Sequence, residues 1–156
     1  MALSRRSMLW IVPGATLAVP LGALLLPGEG RAAQVNAEGG VAVRGTDVVA
    51  YVTQGRPVAG SAAFAHAWRG ATWHFASAAH RDMFAADPER YAPAYGGFCA
   101  FAVSEGYTAP IDPAAWRIVD GRLFLNYDRT VQRRWEADMP GRIARGDANW
   151  PRIAAR

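Results

Sequence analysis

The sequence predicts a single small α+β domain, on three observations. Two strand–turn–strand signals lie along the chain, at residues 64–75 and 116–127. A good helix N-cap stands directly after each, Ser77 after the first and Asp128 after the second. Beyond an apolar leader, cutting after Ala37 leaves 119 residues, a size that supports one core. No internal repeat of useful strength and no linker divides that length, so the expected organisation is a leader over 1–37 and one domain over 38–156.

Arg5-Arg6 is followed by an uncharged apolar stretch from Met8 to Leu26 and then by small residues, the pattern of a secretory signal. The paired arginine within it points to twin-arginine export and hence to the periplasm. Val35 and Ala37 fit the small-residue positions of a cleavage site, with a second possibility near Ala32. Pro13, Gly14, Pro20, Gly22 and Pro27-Gly28 interrupt the apolar run, which favours removal over a retained anchor of about 18 residues or more. No stable membrane insertion is expected after cleavage, and the released protein is expected to be soluble.

The next residues, 38–46, hold three glycines and read as a loose lead-in. The body opens at Asp47 with apolar Val48, Val49, Tyr51 and Val52 before a turn at Gly55 and Pro57. Phe64–Trp68, the Arg69-Gly70 turn and Thr72–Phe75 form the first hairpin, with Trp73 and Phe75 on one face and His74 on the other. Ser77 caps a helix over Ala78–Ala86 in which His80, Met83 and Phe84 share a face. Asp87-Pro88 starts a short further turn of helix. The stretch Phe98–Val103 is open to two readings, an extended segment with Cys99, Phe101 and Val103 on one face or a helix following the Gly96-Gly97 pair. Asp112-Pro113 repeats the aspartate–proline helix signal before Ala114-Ala115. Trp116–Val119, Asp120-Gly121 and Arg122–Tyr127 form the second hairpin, the Asp-Gly pair favouring a primed turn. Asp128 caps a helix carrying Val131 and Trp135 at i, i+4. After a break at Met139-Pro140, a last helix runs through Ile143 to Trp150 and ends at Pro151.

Charge excludes one class of function. From Glu38 onward 14 arginines face 12 acidic residues, a net +2 against +4 for the whole chain. So small and so mixed a charge does not make the clustered basic face of a nucleic-acid binder. There is no Gly-rich phosphate loop, and Asp47, Asp112 and Asp128 each have a local capping role.

Cys99 is the only cysteine, so no internal disulfide can form. It is either a buried, inert residue, a link between chains, or a thiol that does chemistry. Chemistry would require solvent access and a depressed pKa, and one thiol alone cannot run internal dithiol exchange.

Taken together, Asp47-Val48-Val49-Ala50-Tyr51, Gly60, Phe64, the run Arg69 to Ser77, Phe84, Pro88, Tyr91 and Tyr95-Gly96-Gly97-Phe98-Cys99-Ala100 resemble the YHS domain, and more closely its exported proteobacterial subfamily. The resemblance covers roughly residues 45–150. It implies a compact α+β domain with a hairpin leading into a short helix. Metal-linked members of the wider family carry cysteines where this chain has Ala50, Ala76 and His80, so a structural zinc or three-thiolate copper site is not expected. Some members of the closer subfamily carry selenocysteine at the position of Cys99, which implies redox or soft-metal chemistry there.

On that basis the expected site is Cys99 as thiol, with His80 and Met83 as further ligands for weakly bound Cu(I) or zinc. Gly96 and Gly97 would support the thiol with backbone N–H groups, and His74 and His66 are lesser ligand candidates. The competing expectation is a noncatalytic module that docks to an envelope protein or holds a small ligand. A thiol partner would be needed for redox turnover.

Overall fold

The computed structural model describes residues 34–156. The twin-arginine motif, the apolar run and the alternative cleavage position near Ala32 lie outside the described residues. Among the described residues no helix is long and apolar enough to cross a membrane.

The domain is α+β, built from two sheets and six helices among the described residues. Strands β1 (Ala37–Glu38), β2 (Val41–Ala42), β3 (Ser61–Trp68) and β4 (Ala71–Phe75) make a four-stranded sheet in the order β1-β2-β4-β3. Strands β5 (Asp112–Val119) and β6 (Arg122–Asn126) make a separate two-stranded sheet. Both predicted hairpins are present and antiparallel. Their turns place Arg69-Gly70 and Asp120-Gly121 at positive φ in both positions, the geometry of a type I′ turn.

Residues 38–46 are not a loose lead-in. They form β1, β2 and a 3-10 turn at Val43–Gly45, and Ala42 and Val43 are buried. The glycines there suggest a loop, but β2 pairs parallel with β4 and β1 pairs with β2 at the sheet edge. Asp47 then caps α1 (Val48–Thr53), whose Val48, Val49 and Tyr51 enter the main core.

Ser77 caps α2 (Ala78–Ala86) by accepting from the His80 N–H, and Pro88 opens the short α3 (Pro88–Tyr91). On α2 only Phe84 is buried. Met83 is exposed, so the face predicted to hold His80, Met83 and Phe84 together is split by the packing. A short 3-10 segment, Ala94–Gly97, leads to α4 (Ala100–Ser104), with Cys99 at its N-cap. Of the two readings of residues 98–103, the helix is the one formed.

The aspartate–proline signal at Asp112-Pro113 does not start a helix. Asp112 accepts from the Ala114 N–H, as a capping aspartate would, yet the chain continues as β5 because it pairs with β6. Asp128 caps α5 (Arg129–Glu136) through the Val131 N–H. The last helix, α6 (Met139–Ala154), runs past Pro151 rather than ending there. Proline removes one helical hydrogen bond, but Ile153 beyond it is buried and holds the final turn against the second core.

Two cores result. The larger contains Trp73, Phe75, Phe84, Tyr51, Val48, Val49, Leu125 and Cys99 between the four-stranded sheet and the helices. The smaller gathers Tyr95, Val103, Phe124, Trp135 and Ile153 between β6, α4, α5 and α6.

Candidate functional site

The segment Tyr95–Cys99 joins the two cores, and its two ends have opposite environments. At its inner end Cys99 is 1% exposed. Its backbone N–H bonds to the Ala109 carbonyl, and its Sγ lies 3.8 Å from Asn126 Oδ1. Burial pushes the thiol pKa up, more than the backbone N–H groups of Ala102, Tyr127 and Phe101 near the sulfur pull it down. Asn126 is itself fully buried. Its Oδ1 accepts from the Phe101 N–H at 3.2 Å, while its Nδ2 has no partner. The sequence reading missed Asn126, whose position at the end of a strand marks nothing locally.

Gly96 and Gly97 do not serve the thiol. The Gly96 carbonyl accepts from the Asn36 N–H at 2.8 Å and the Gly97 carbonyl from Asn36 Nδ2 at 2.9 Å. They tie the segment to the start of the described chain, and the N–H groups near the sulfur come from α4 and residue 127 instead.

His80 has another partner. Its Nδ1 is 2.6 Å from Oδ2 of Asp47, which is fully buried, and its Nε2 is 3.4 Å from Thr53 Oγ1. Asp47 also accepts from the N–H groups of Val49, Ala50 and Ala76. One carboxylate thus knots α1, the end of β4 and α2, and the imidazole completes its shell. The imidazole Nδ1 meets Asp47, the Cys99 thiol meets Asn126, and Met83 is exposed. His66 is half-buried with its ring edge-on to Phe84 at 6.0 Å. His74 is half-buried in a shallow groove with Glu38, Arg44 and Gly60. Among the described residues no three or more His, Cys, Asp or Glu side chains are grouped to hold a metal ion.

At the outer end of the segment a cleft of about 300 Å³ opens. Both hairpin turns reach it, through Arg69 from the first and Gly121-Arg122 from the second, and α3 and α6 supply its other walls. Tyr95 forms part of its wall in a left-handed conformation (φ 57°, ψ 37°). That conformation costs a non-glycine residue of order 1–3 kcal/mol and is held by contacts. Tyr95 Oη donates to Asp147 Oδ1 at 2.9 Å and contacts the Ile143 carbonyl at 3.3 Å. The ring fits under α6 only because residue 146 is glycine, since a Cβ there would lie 2.5 Å from Tyr95 Oη. Arg122 grips both oxygens of Asp147, at 3.0 and 2.7 Å. That guanidinium holds the Asp147 carboxyl below the usual carboxylate range. Burial, followed by the bond to Asp147, raises the Tyr95 phenol, so it stays a neutral donor.

One further aromatic ring and two further cations complete the wall. Trp150 is half-buried and packs 5.9 Å from Tyr95. Arg69 pairs with Glu89 at 2.5 Å and lies 4.4 Å over the Trp68 ring. Arg90 also lines the cleft, and its guanidinium lies 5.5 Å from the centroid of the Tyr91 ring. Each polar group has a place in the sequence, but nothing local reveals that residues 69, 90, 95, 122, 147 and 150 meet. Compared with protein-family models, curated proteins and solved structures, the chain matches none.

Proposed function

We propose that this protein is a noncatalytic binding module of the YHS type, exported to the periplasm, that holds a small ligand in the cleft beside Tyr95. The observation that carries the reading is the strained Tyr95 backbone at a concavity where four separate elements converge. Strain is retained only where surrounding structure enforces it, and it concentrates at ligand sites. A cleft of this size lies at the lower end of small-molecule pockets. Its wall combines an aromatic surface with fixed polar groups, which is the usual division between apolar contact and orientation.

The thiol and metal reading draws less support. A reactive cysteine wants access and a low pKa, whereas Cys99 is buried and its pKa is raised. Cu(I) or zinc at Cys99, His80 and Met83 would require the thiol to leave Asn126 and the imidazole Nε2 to leave Thr53. Export rests on the paired arginine and apolar run of the first residues, and the intact mass of protein from a periplasmic extract tests it.

The binding reading is tested by two-dimensional amide NMR of the purified protein against a small-molecule library. Binding moves the signals of Ala94, Gly96, Gly121 and Trp150 together. Gly146→Val, which pushes Tyr95 out of its seat, removes the response. A library whose hits leave those signals unmoved while shifting another surface overturns the assignment.

A further inference from the structure

Resting on the cleft reading above, we infer that the ligand is a small organic anion, with a carboxylate or phosphate head and a flat apolar body. Three arginines, Arg69, Arg90 and Arg122, and two acidic residues, Glu89 and Asp147, line the cleft. Both carboxylates are already engaged. Glu89 pairs with Arg69, and Asp147 is gripped by Arg122 on both oxygens while taking the Tyr95 hydroxyl. Arg90 is left over: among the described residues it makes no ion pair, and its recorded contact is with the face of the Tyr91 ring.

The lining therefore carries one uncompensated positive charge, on a side chain whose planar fork suits a carboxylate or phosphate. A cation would meet Arg90 with no free carboxylate to offset it. A neutral ligand would leave Arg90 unused. An anion satisfies it without breaking either existing pair. The body of the ligand is set by the half-buried Trp150 ring, which offers flat apolar surface in the lining. The volume, about 300 Å³, suits a single-ring compound rather than a polymer.

Calorimetric titration of the purified protein with four probes tests this: benzoate, phenyl phosphate, inorganic phosphate and benzylamine. Benzoate or phenyl phosphate binds, benzylamine does not, and inorganic phosphate is weaker than either ring compound. The order of the two ring anions tells a carboxylate head from a phosphate one. Arg90→Gln weakens the anion at least tenfold with an unchanged melting temperature, Arg90→Lys restores part of the loss, and raised salt weakens the wild-type protein more than Arg90→Gln. Benzylamine binding as tightly as benzoate, or Arg90→Gln binding as wild type does, overturns the anion inference. If Trp150→Ala abolishes that benzylamine binding, the cleft reading survives its loss. If none of the three ring and phosphate anions nor benzylamine binds or moves the cleft signals, both fail.

Discussion

The two hairpins of this domain use the same local grammar and close their polar interiors differently. β3–β4 and β5–β6 each pair an eight-residue strand with a five-residue strand, and each carries an irregularity in register. Each turns through two residues at positive φ and is followed by a side-chain-capped helix. The end of the first meets Asp47, a buried carboxylate whose oxygens take four donors, three backbone N–H groups and the His80 ring. The end of the second carries Asn126, equally buried, whose amide oxygen is used and whose Nδ2 is left over. Among the described residues Trp135 Nε1, in the second core, and Arg142 Nε also lack a hydrogen-bond partner. The first hairpin is therefore locked by a saturated network, and the second by apolar packing around an incompletely satisfied one. Full satisfaction rigidifies a buried polar cluster, and partial satisfaction leaves a cost unrecovered.

The sharpest way to break that comparison is to remove each polar anchor. Asp47→Ala strands three backbone donors and the imidazole, and is expected to cost about 3–5 kcal/mol in urea unfolding. Asn126→Leu strands mainly the Phe101 N–H while deleting an orphan amide, so about 1–2 kcal/mol is expected. Equal losses would show that the orphan Nδ2 carries no penalty and would remove the asymmetry.

A second test looks at what the less saturated region protects. Cys99 leans on Asn126, so its labelling reports opening around β6 and α4. Alkylation of the native protein at neutral pH is expected to be on the order of a hundredfold slower than in urea, with burial and a raised thiol pKa both acting to slow it. Asn126→Leu should speed native labelling more than Asp47→Asn does. Labelling of the wild-type protein at the unfolded rate would place the thiol at the surface and revive a chemical role for it.

The smallest expected effect concerns the arginines that border the two turns. Arg69 meets Glu89 singly, whereas Arg122 holds Asp147 by both oxygens. Asp147 has a depressed pKa in the fold. Its contribution to stability is full above the ordinary carboxylate value near 3.9 and is lost as pH falls through the lower folded value. Exposure of both side chains keeps that contribution small. Melting temperature followed from about pH 5 down to about pH 2 should therefore fall less steeply in Asp147→Asn than in the wild-type protein. A wild-type slope in Asp147→Asn would show that the bidentate pair adds nothing beyond the single one.

Much of this fold could be read from the chain alone, for reasons that are local. Arg69-Gly70 and Asp120-Gly121 sit between alternating apolar residues, and Ser77 and Asp128 cap helices through N–H groups three residues away. Where the local reading went wrong, a distant partner had overruled it. The strand β2 is ordered because β4 receives it, Asp112-Pro113 is extended because β6 pairs with it, and α6 passes Pro151 because Ile153 finds the core.

The candidate site was less legible. Cys99 and the glycine pair drew notice as a rare residue and a rare dipeptide, but rarity says nothing about which way a side chain faces. The sequence by itself determined the two hairpins, their capped helices and the single thiol, since each depends on residues within a few positions of one another. Tertiary structure alone decided that Asp47 takes His80 across 33 residues, that Cys99 meets Asn126 across 27, and that Tyr95 meets Asp147 across 52. Those pairings depend on how the two cores pack around the segment Tyr95–Cys99, and short-range propensities do not encode that packing.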